Sequence, residues 1–157
     1  MARWISVLRR SLLSTFLAGG WLSLAPFAGA AEPEIDPCRL VTKQEAAAVL
    51  GAPVASENSP PARPGRSVRI CSIRGGNGRT LTVFVGPRTK AAFDQEKKGH
   101  PQVSGIGDDA YANPPGVVAV RKGETVLLLS MSLDGAPDEA GLLERVKTLA
   151  RAGVGRL

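Results

Sequence analysis

The sequence predicts an α+β fold in which an antiparallel sheet of two β-hairpins packs with three helices. Three observations support this class: a capped helix near residue 42, two pairs of short strands joined by glycine-containing turns, and an amphipathic C-terminal helix. The predicted order is helix, hairpin, helix, hairpin, helix, so that a unit of hairpin plus helix occurs twice. The two halves share this order of elements but no matching residues.

The first predicted element is a short helix with a signal at each end. Thr42 and Glu45 form a capping-box pattern, in which the hydroxyl and the carboxylate each bind a free backbone N–H. Gly51 can adopt the left-handed conformation that ends a helix, and Pro53 prevents its continuation. Residues 55–65 contain three prolines and no periodicity, and we therefore expect an exposed loop there.

Residues 67–85 predict the first hairpin. A strand over 67–73 is followed by a Gly-Gly-Asn-Gly turn at 75–78 and a second strand over 80–85. In the second strand one face carries Leu81, Val83 and Val85, and the other carries Thr80, Thr82 and Phe84. This alternation is typical of a strand with one buried face.

The second half of the chain predicts another helix and another hairpin. Residues 87–98 indicate a short polar helix whose core contacts are Ala91, Ala92 and Phe93. Loop and turn residues follow at 105–109 and 113–116. The second hairpin is expected from strands at 117–120 and 125–133, joined by Lys122-Gly123-Glu124, and one face of its second strand carries Leu127, Leu129, Met131 and Leu133.

The C-terminal helix has the most regular pattern in the chain. Its apolar residues recur at helical spacing and form one face: Leu142, Leu143, Val146, Leu149 and Ala150. Asp138 and Glu139 lie near its start and basic residues lie near its end, as the helix dipole favours. We expect this helix to pack on the sheet.

The first thirty residues predict an export signal. Three arginines form a positive start, residues 11–27 are mostly apolar, and Ala28-Gly29-Ala30 provides an A-x-A cleavage site. We therefore expect a signal peptide at 1–30, a mature N-terminus at Ala31 or Glu32, and a single exported α+β domain at 31–157. Glycines and Pro26 interrupt the apolar run, which argues against a transmembrane anchor after signal cleavage.

The surroundings of Cys38 argue against lipidation. Ile35-Asp36-Pro37 precedes it, and this segment lacks the small residues found before a lipidated cysteine. The Arg9-Arg10 pair resembles a twin-arginine signal without its full consensus, and we favour the general export route. The expected location is therefore periplasmic or secreted.

Cys38 and Cys71 are the two cysteines of the chain, and both follow the predicted signal. An even pair in an oxidising compartment favours a disulfide. The metal or redox alternative is weaker because the chain has no C-x-x-C motif and a single histidine, His100. A bridge across this separation stabilises by about 3 to 4 kcal/mol in the chain-entropy model.

Several short segments resemble a family of small exported bacterial proteins, many of them lipoproteins, that form a domain of unknown function. These segments are Asp36-Pro37-Cys38-Arg39-Leu40-Val41-Thr42, Glu45, Leu50-Gly51, Cys71, Gly105-Ile106-Gly107-Asp108-Asp109-Ala110-Tyr111 and Lys122-Gly123-Glu124. The resemblance spans most of the mature chain. It implies an exported α+β sandwich with a disulfide and no known catalytic residues. The chain departs from the family because it lacks the lipidation cysteine.

Two motifs suggest chemistry, and simpler explanations are favoured for both. Gly105-x-Gly107-x-x-Ala110 fits a loose dinucleotide pattern, but two prolines follow closely and leave no room for the required helix, so we expect a turn. Asp108 and Asp109 could bind calcium or act as acid and base. They lack further ligands at EF-hand spacing, which favours a solvated turn with one Asp bound to backbone amides.

His100 lies between Gly99 and Pro101 and has no nucleophile or Asp partner placed by a motif. We expect a surface histidine rather than a catalytic base. The sequence therefore predicts no catalytic, cofactor-binding or metal-binding residues. A small hydrolase or another enzyme is the competing class, and it would require an arrangement of nucleophile, base and orienting group that the motifs do not supply.

Charge is unevenly placed along the mature chain. The signal holds three of the 20 Lys and Arg and none of the 14 Asp and Glu, which leaves a net charge of +3. Between residues 63 and 98, however, the chain has nine basic residues and only two acidic ones. Such a cluster could bind an anionic lipid, lipopolysaccharide, a cell-wall polymer or an acidic protein, or it could only keep the surface soluble.

These observations predict an exported, non-enzymatic module that binds a protein or an anionic envelope component through the first hairpin and the following helix. The candidate binding residues are Arg69, Arg74, Arg79 and Arg88. Nucleic acid is not an expected partner, since Phe84 and Phe93 are the only rings in the basic segment. The alternatives are a small periplasmic enzyme and a purely structural envelope protein, and no oligomeric state is predicted.

Overall fold

The computed structural model of this protein describes residues 35–61, 65–132 and 139–157, with the side chains of 139 and 140 excepted. The described residues all belong to one compact unit. The predicted signal peptide and its cleavage site lie outside the described residues, as do Arg63, Leu133 and Asp138.

The described chain is an α+β domain with three helices and one antiparallel six-stranded sheet. Its elements are a 3₁₀ turn at Pro37–Arg39, helices α1 (Lys43–Leu50), α2 (Lys90–Glu96) and α3 (Glu139–Val154), and strands β1 (Val54–Asn58), β2 (Arg69–Gly75), β3 (Thr80–Pro87), β4 (Asp109–Asn113), β5 (Val117–Lys122) and β6 (Thr125–Met131). The strand order is β1-β2-β3-β6-β5-β4. The sheet therefore consists of two three-stranded meanders joined by the pairing of β3 with β6.

The predicted order of two hairpins among three helices is wrong, because each hairpin gains a third strand. β1 occupies part of 55–65, where we expect a loop, and four of its five residues are exposed at the sheet edge. It therefore has no alternating apolar pattern. β4 begins in the predicted loop at 105–109, and its three central residues are all buried, so it too shows no alternation.

The face of the sheet that carries α1 and α3 forms the main core. The alternation predicted for β3 is confirmed, since Leu81, Val83 and Val85 are buried there. The predicted face of α3 is confirmed as well, because Leu142 and Val146 are fully buried. This core anchors the sheet from one side and leaves the other side to α2.

The N-terminal segment is held by the predicted cap and by the predicted disulfide. Thr42 Oγ1 accepts the Glu45 N–H at 3.2 Å, the Glu45 carboxylate accepts the Thr42 N–H at 2.8 Å, and Gly51 has a φ of 72°. Cys38 and Cys71 form the disulfide. The bridge ties the 3₁₀ turn to the second strand of the sheet rather than to the first, because β1 precedes β2.

Candidate functional site

The second face of the sheet carries an apolar row that α2 covers only in part. Ile70 pairs with Phe84 across β2 and β3, Phe84 pairs with Leu128 of β6, and Leu128 pairs with Ala119 of β5. Phe93 of α2 is fully buried over the Ala119 end of this row. Toward β2 and β3 the row stays half-buried, and this partly open stretch is where the candidate site lies.

A crossing segment of the chain forms one wall of the site. A β-carbon at Gly86 would lie 3.1 Å from the Cα of Val68 and 3.2 Å from the carbonyl oxygen of Ser67. The backbone before β2 therefore passes directly over Gly86, where the missing side chain leaves room for it. Val68 is exposed over 44% of its surface and is the exposed large apolar residue of the described chain.

Between Val68 and α2 lies a pocket of about 170 Å³. Its apolar lining includes Phe84, Val126 and Leu128 as well as Val68 itself, and Arg88 and Glu96 also line it. The guanidinium Nη2 of Arg88 lies 3.2 Å from a carboxylate oxygen of Glu96, and both side chains are roughly two-fifths exposed. The pocket thus combines a small apolar surface with two accessible, opposite charges.

The position of Arg88 follows from the end of β3. Its backbone N–H donates to the carbonyl oxygen of Glu124 at 2.7 Å, which holds the chain against the β5–β6 turn. Thr89 then caps α2 by accepting the Ala92 N–H at 3.3 Å. Arg88 is therefore placed by backbone contacts on both sides rather than by a flexible loop.

A chain of charges ties α2 to the sheet beside the pocket. Lys97 lies 3.3 Å from Asp94 on α2 and also binds Asp109 on β4, and Lys90 lies 2.5 Å from Asp94. The hydrogen bond to Asp109 raises the pKa of Lys97, and the hydrogen bond from Lys90 lowers the pKa of Asp94. These pairs orient the helix that carries Glu96.

Tyr111 of β4 packs against α2 from the sheet. Its ring centroid lies 5.3 Å from that of Phe93 and 5.2 Å from that of His100, which stacks on it at 18°. Burial raises the pKa of the Tyr111 hydroxyl. His100 is thus half-buried and packs against the Tyr111 ring.

The two adjacent aspartates have separate structural partners. Asp108 Oδ2 accepts the Gly123 N–H at 2.7 Å and lies 3.4 Å from Nη1 of Arg121, whereas Asp109 binds Lys97. The prediction of one Asp bound to a backbone amide in a solvated turn holds for Asp108, whereas Asp109 begins strand β4 and its side chain is 18% exposed. The turn interpretation of Gly105-x-Gly107 is confirmed as well, because strand β4 follows it instead of a helix.

The four candidate arginines do not lie on one surface. Arg69 alternates onto the face of Cys71, whereas Arg74 is exposed on the opposite face, five residues further along β2. Arg79 Nη1 donates to the Leu50 carbonyl oxygen at 3.4 Å, at the end of α1. Arg88 alone lines the pocket, so it is the predicted residue that the geometry favours.

Sequence reasoning missed the apolar part of the site. Phe84 was visible as an apolar residue on the otherwise threonine-bearing face of β3. The run at 126–129 is apolar without alternation, which indicates that both faces of β6 are covered or used. No sequence pattern indicated that Val68 belongs to the site, because its position depends on the chain crossing over Gly86.

Two other features of the described chain have the shape or the spacing of a site. A groove of about 310 Å³ lies between α1 and α3, lined by Ala48, Val49 and Leu149 and by charged residues that include Glu45 and Glu144. Among the described residues, one group has the spacing of metal ligands, namely Cys38, Glu57 and Cys71. Its two sulfurs form the disulfide and are therefore not thiolates.

Within the ranges that the structure describes, no helix combines the length and apolar composition needed to cross a bilayer. Comparison with known proteins found no matching family model, no matching curated protein and no matching solved structure. The resemblance to small exported proteins of unknown function therefore stays a prediction from the motifs.

Proposed function

We propose that this protein is an exported, non-enzymatic module that binds a protein partner through the first hairpin and α2. The observation that carries the proposal is the pocket beside Val68, with its apolar surface and its Arg88–Glu96 pair. Protein interfaces obtain most of their binding energy from a few residues that enter such pockets.

The size of the pocket distinguishes between classes of ligand. Small-molecule sites usually enclose roughly 300 to 1,000 Å³ and bury most of their ligand. A pocket of about 170 Å³ that stays partly open is smaller than this range and fits a single side chain. This geometry favours an anchor residue of a partner protein over a free metabolite.

The charges of the basic segment favour a partner protein over an anionic envelope component. Of the cations expected to attract an anionic envelope component, Arg88, Lys90 and Lys97 each have an acidic partner. Of the other candidate arginines, Arg69 and Arg74 lie on opposite faces of β2, and Arg79 contacts the end of α1. A continuous cationic surface, which vesicle or polymer binding would require, is therefore not assembled by these residues.

The non-enzymatic part of the proposal is supported by the contacts of the titratable groups. Asp108 and Asp109 bind a backbone amide and a lysine, and His100 stacks on Tyr111. Each of these groups has a structural role. Export, with a signal at 1–30 and without lipidation, is supported by the sequence of the first thirty residues.

Capture from periplasmic extract with the immobilised mature protein tests this function. Val68→Asp places a carboxylate at the exposed apolar wall, and it should abolish recovery of the partner without lowering the melting temperature. Ser56→Asp adds the same charge at an exposed site on β1 and should leave recovery unchanged. Mass spectrometry then identifies the proteins that depend on Val68.

Two results would contradict the proposal. Equal recovery of every protein by wild type and Val68→Asp would show that the pocket is not the binding surface. Salt-sensitive binding to phosphatidylglycerol vesicles that Val68→Asp leaves intact would favour the anionic envelope component instead.

A further inference from the structure

We propose that the carboxylate of Glu57 protects the Cys38–Cys71 disulfide against reduction by thiols, and that it does so through its negative charge. The proposed binding function does not use this residue. Three observations support the inference: the position of the carboxylate beside both sulfurs, the unequal burial of the two cysteines, and the compensated charge of the other nearby carboxylate, that of Asp36.

Glu57 lies on the edge strand of the sheet and reaches the disulfide from there. It is exposed on β1 and pairs with Ile73 of β2. Ile73 and Cys71 are two residues apart on β2, and both are buried, so they lie on the same face of the sheet. A carboxylate oxygen of Glu57 and the sulfurs of Cys38 and Cys71 all lie within 4.8 Å of one another. The pairing of β1 with β2 therefore places a negative charge next to the bridge.

The unequal burial of the two cysteines decides which sulfur a thiol can reach. Cys71 is fully buried in the main core, whereas Cys38 is half-buried in the 3₁₀ turn. A reducing thiolate attacks one sulfur of a disulfide and expels the other as a thiolate. Attack is therefore expected at Cys38, and the electron pair of the broken S–S bond goes to the sulfur of Cys71.

The complete reaction takes two thiols. The first forms a mixed disulfide with Cys38 and releases the Cys71 thiolate. The second attacks this mixed disulfide and releases the Cys38 thiolate. The two reductant molecules leave oxidised as their own disulfide, and the two cysteines take up protons from water. The first of these steps is the one that opens the bridge.

A carboxylate at Glu57 opposes that first step in two ways. It repels the incoming thiolate, and it disfavours the thiolate that forms on Cys71, which the apolar core disfavours as well. A separation within 4.8 Å is shorter than the Debye length of ~8 Å at physiological salt, so the repulsion is only partly screened. Because a less stable thiolate leaves more slowly, the bridge should open slowly.

Asp36 is a second carboxylate near the bridge, but its charge is compensated. One of its oxygens accepts the Cys38 N–H at 3.0 Å, and the other lies 3.6 Å from Nε of Arg39. The cation of Arg39 offsets the repulsion that Asp36 would exert on an approaching thiolate. The protection is therefore assigned to Glu57.

Reduction kinetics of the folded protein test the inference. Wild type and Glu57→Gln are treated with excess 2-mercaptoethanol, an uncharged thiol, and loss of the bridge is followed by alkylation and intact mass. Glu57→Gln should lose the bridge about threefold faster, since the amide keeps the size of the side chain and removes its charge. Glu124→Gln removes the same charge at an exposed glutamate between β5 and β6, and it should match wild type.

The charge of the reductant separates electrostatic protection from simple access. At equal thiolate concentration, the ratio of the Glu57→Gln rate to the wild-type rate should be larger for the anionic 2-mercaptoethanesulfonate than for cysteamine, which carries an ammonium group. In about 1 M salt, where the Debye length falls to ~3 Å, the ratio should approach one. The melting temperatures of the two oxidised proteins should agree, since Glu57 is exposed.

Three results would overturn the inference. Equal reduction rates of wild type and Glu57→Gln would show that the carboxylate does not act on the bridge. A rate ratio that depends neither on salt nor on the charge of the reductant would assign the difference to packing. Reduction rates that do not rise with thiol concentration would show that opening of the fold, and not attack beside Glu57, limits the reaction.

Discussion

Glu45 links three parts of the molecule at the scale of a single residue. It caps α1 by accepting the Thr42 N–H, and its carboxylate binds Arg156 through two contacts of 2.6 and 2.9 Å. Arg156 also donates to the Leu40 carbonyl oxygen at 2.7 Å. The hydrogen bonds from Arg156 hold the pKa of Glu45 at about 2, below its ordinary value of 4.5.

This lowered pKa predicts how stability depends on pH. Because the folded pKa lies below the unfolded one, the contribution of Glu45 is complete above pH 4.5 and is lost as the pH falls toward 2. Glu45→Gln, which keeps the capping pattern, should lower the free energy of unfolding by about 1 to 2 kcal/mol at pH 7, allowing for solvent screening. Urea unfolding should show the two proteins converging near pH 2, and a constant difference would contradict the assignment.

Substitution by alanine should destabilise the protein to different extents at Gly105 and at Gly107, although both lie in the same loop. Both have a positive φ, of 59° and 74°. A β-carbon at Gly107 would lie 2.5 Å from the carbonyl oxygen of Arg121, whereas one at Gly105 would meet nothing within 4 Å. Gly105→Ala should therefore cost about 1 kcal/mol from backbone conformation.

Gly107→Ala should lower the free energy of unfolding by at least about 2 kcal/mol more than Gly105→Ala does, because the new β-carbon also forces the loop away from β5. Thermal unfolding of the two variants measures the difference. Equal melting temperatures would show that the loop does not depend on this close approach.

At the scale of an element, α2 depends on a single buried side chain. Phe93 is the buried residue of this seven-residue helix, and it packs on Tyr111 and Ala119. The helix is also held by the ion pairs of Lys97 with Asp109 and of Arg88 with Glu96. The position of Glu96 in the candidate site therefore depends on Phe93.

Phe93→Ala should release α2 before the rest of the fold. The substitution removes a fully buried ring and should cost about 3 to 5 kcal/mol for the docked helix. Hydrogen exchange should show lost amide protection in α2 while β3 and β6, which lie in the main core, stay protected. Ala91→Ser, at an exposed position of the same helix, is the matched control, and uniform loss of protection in Phe93→Ala would contradict local release.

At the scale of the whole molecule, the disulfide fixes the N-terminal segment to the centre of the first meander. Cys38 and Cys71 are 33 positions apart, and the closed loop includes α1 and β1. The bridge therefore limits the unfolded chain over the part of the domain that has the most exposed strand. Removing the bridge should therefore lower the free energy of unfolding of the whole domain.

Removing the bridge should lower stability by about 3 to 4 kcal/mol in the chain-entropy model. The variant with Cys38→Ala and Cys71→Ala should match the reduced wild type in urea unfolding, since both lack the same link. Alkylation of the folded, unreduced protein should label neither thiol. Uptake of two alkyl groups would contradict the bridge.

Local signals in the sequence were sufficient for the parts of the fold that neighbouring residues determine. Thr42, Glu45 and Gly51 mark α1 because caps act within a few residues of the chain. The alternation of Leu81, Val83 and Val85 marks β3 because one of its faces is buried. The pairing of Cys38 with Cys71 followed from their number and from the expected compartment alone.

Only the tertiary structure decided which strands complete the sheet and where the site lies. β1 is exposed and β4 is buried on both faces, so neither has the alternation by which a strand is recognised. The pocket depends on Val68 crossing over Gly86 and on Phe93 docking α2, both of which bring together segments distant in sequence. The sequence by itself determined the fold class and the first cap, which follow from local patterns, and the disulfide, which follows from the presence of a single pair of cysteines. The site depends on long-range packing, which only the tertiary structure decided.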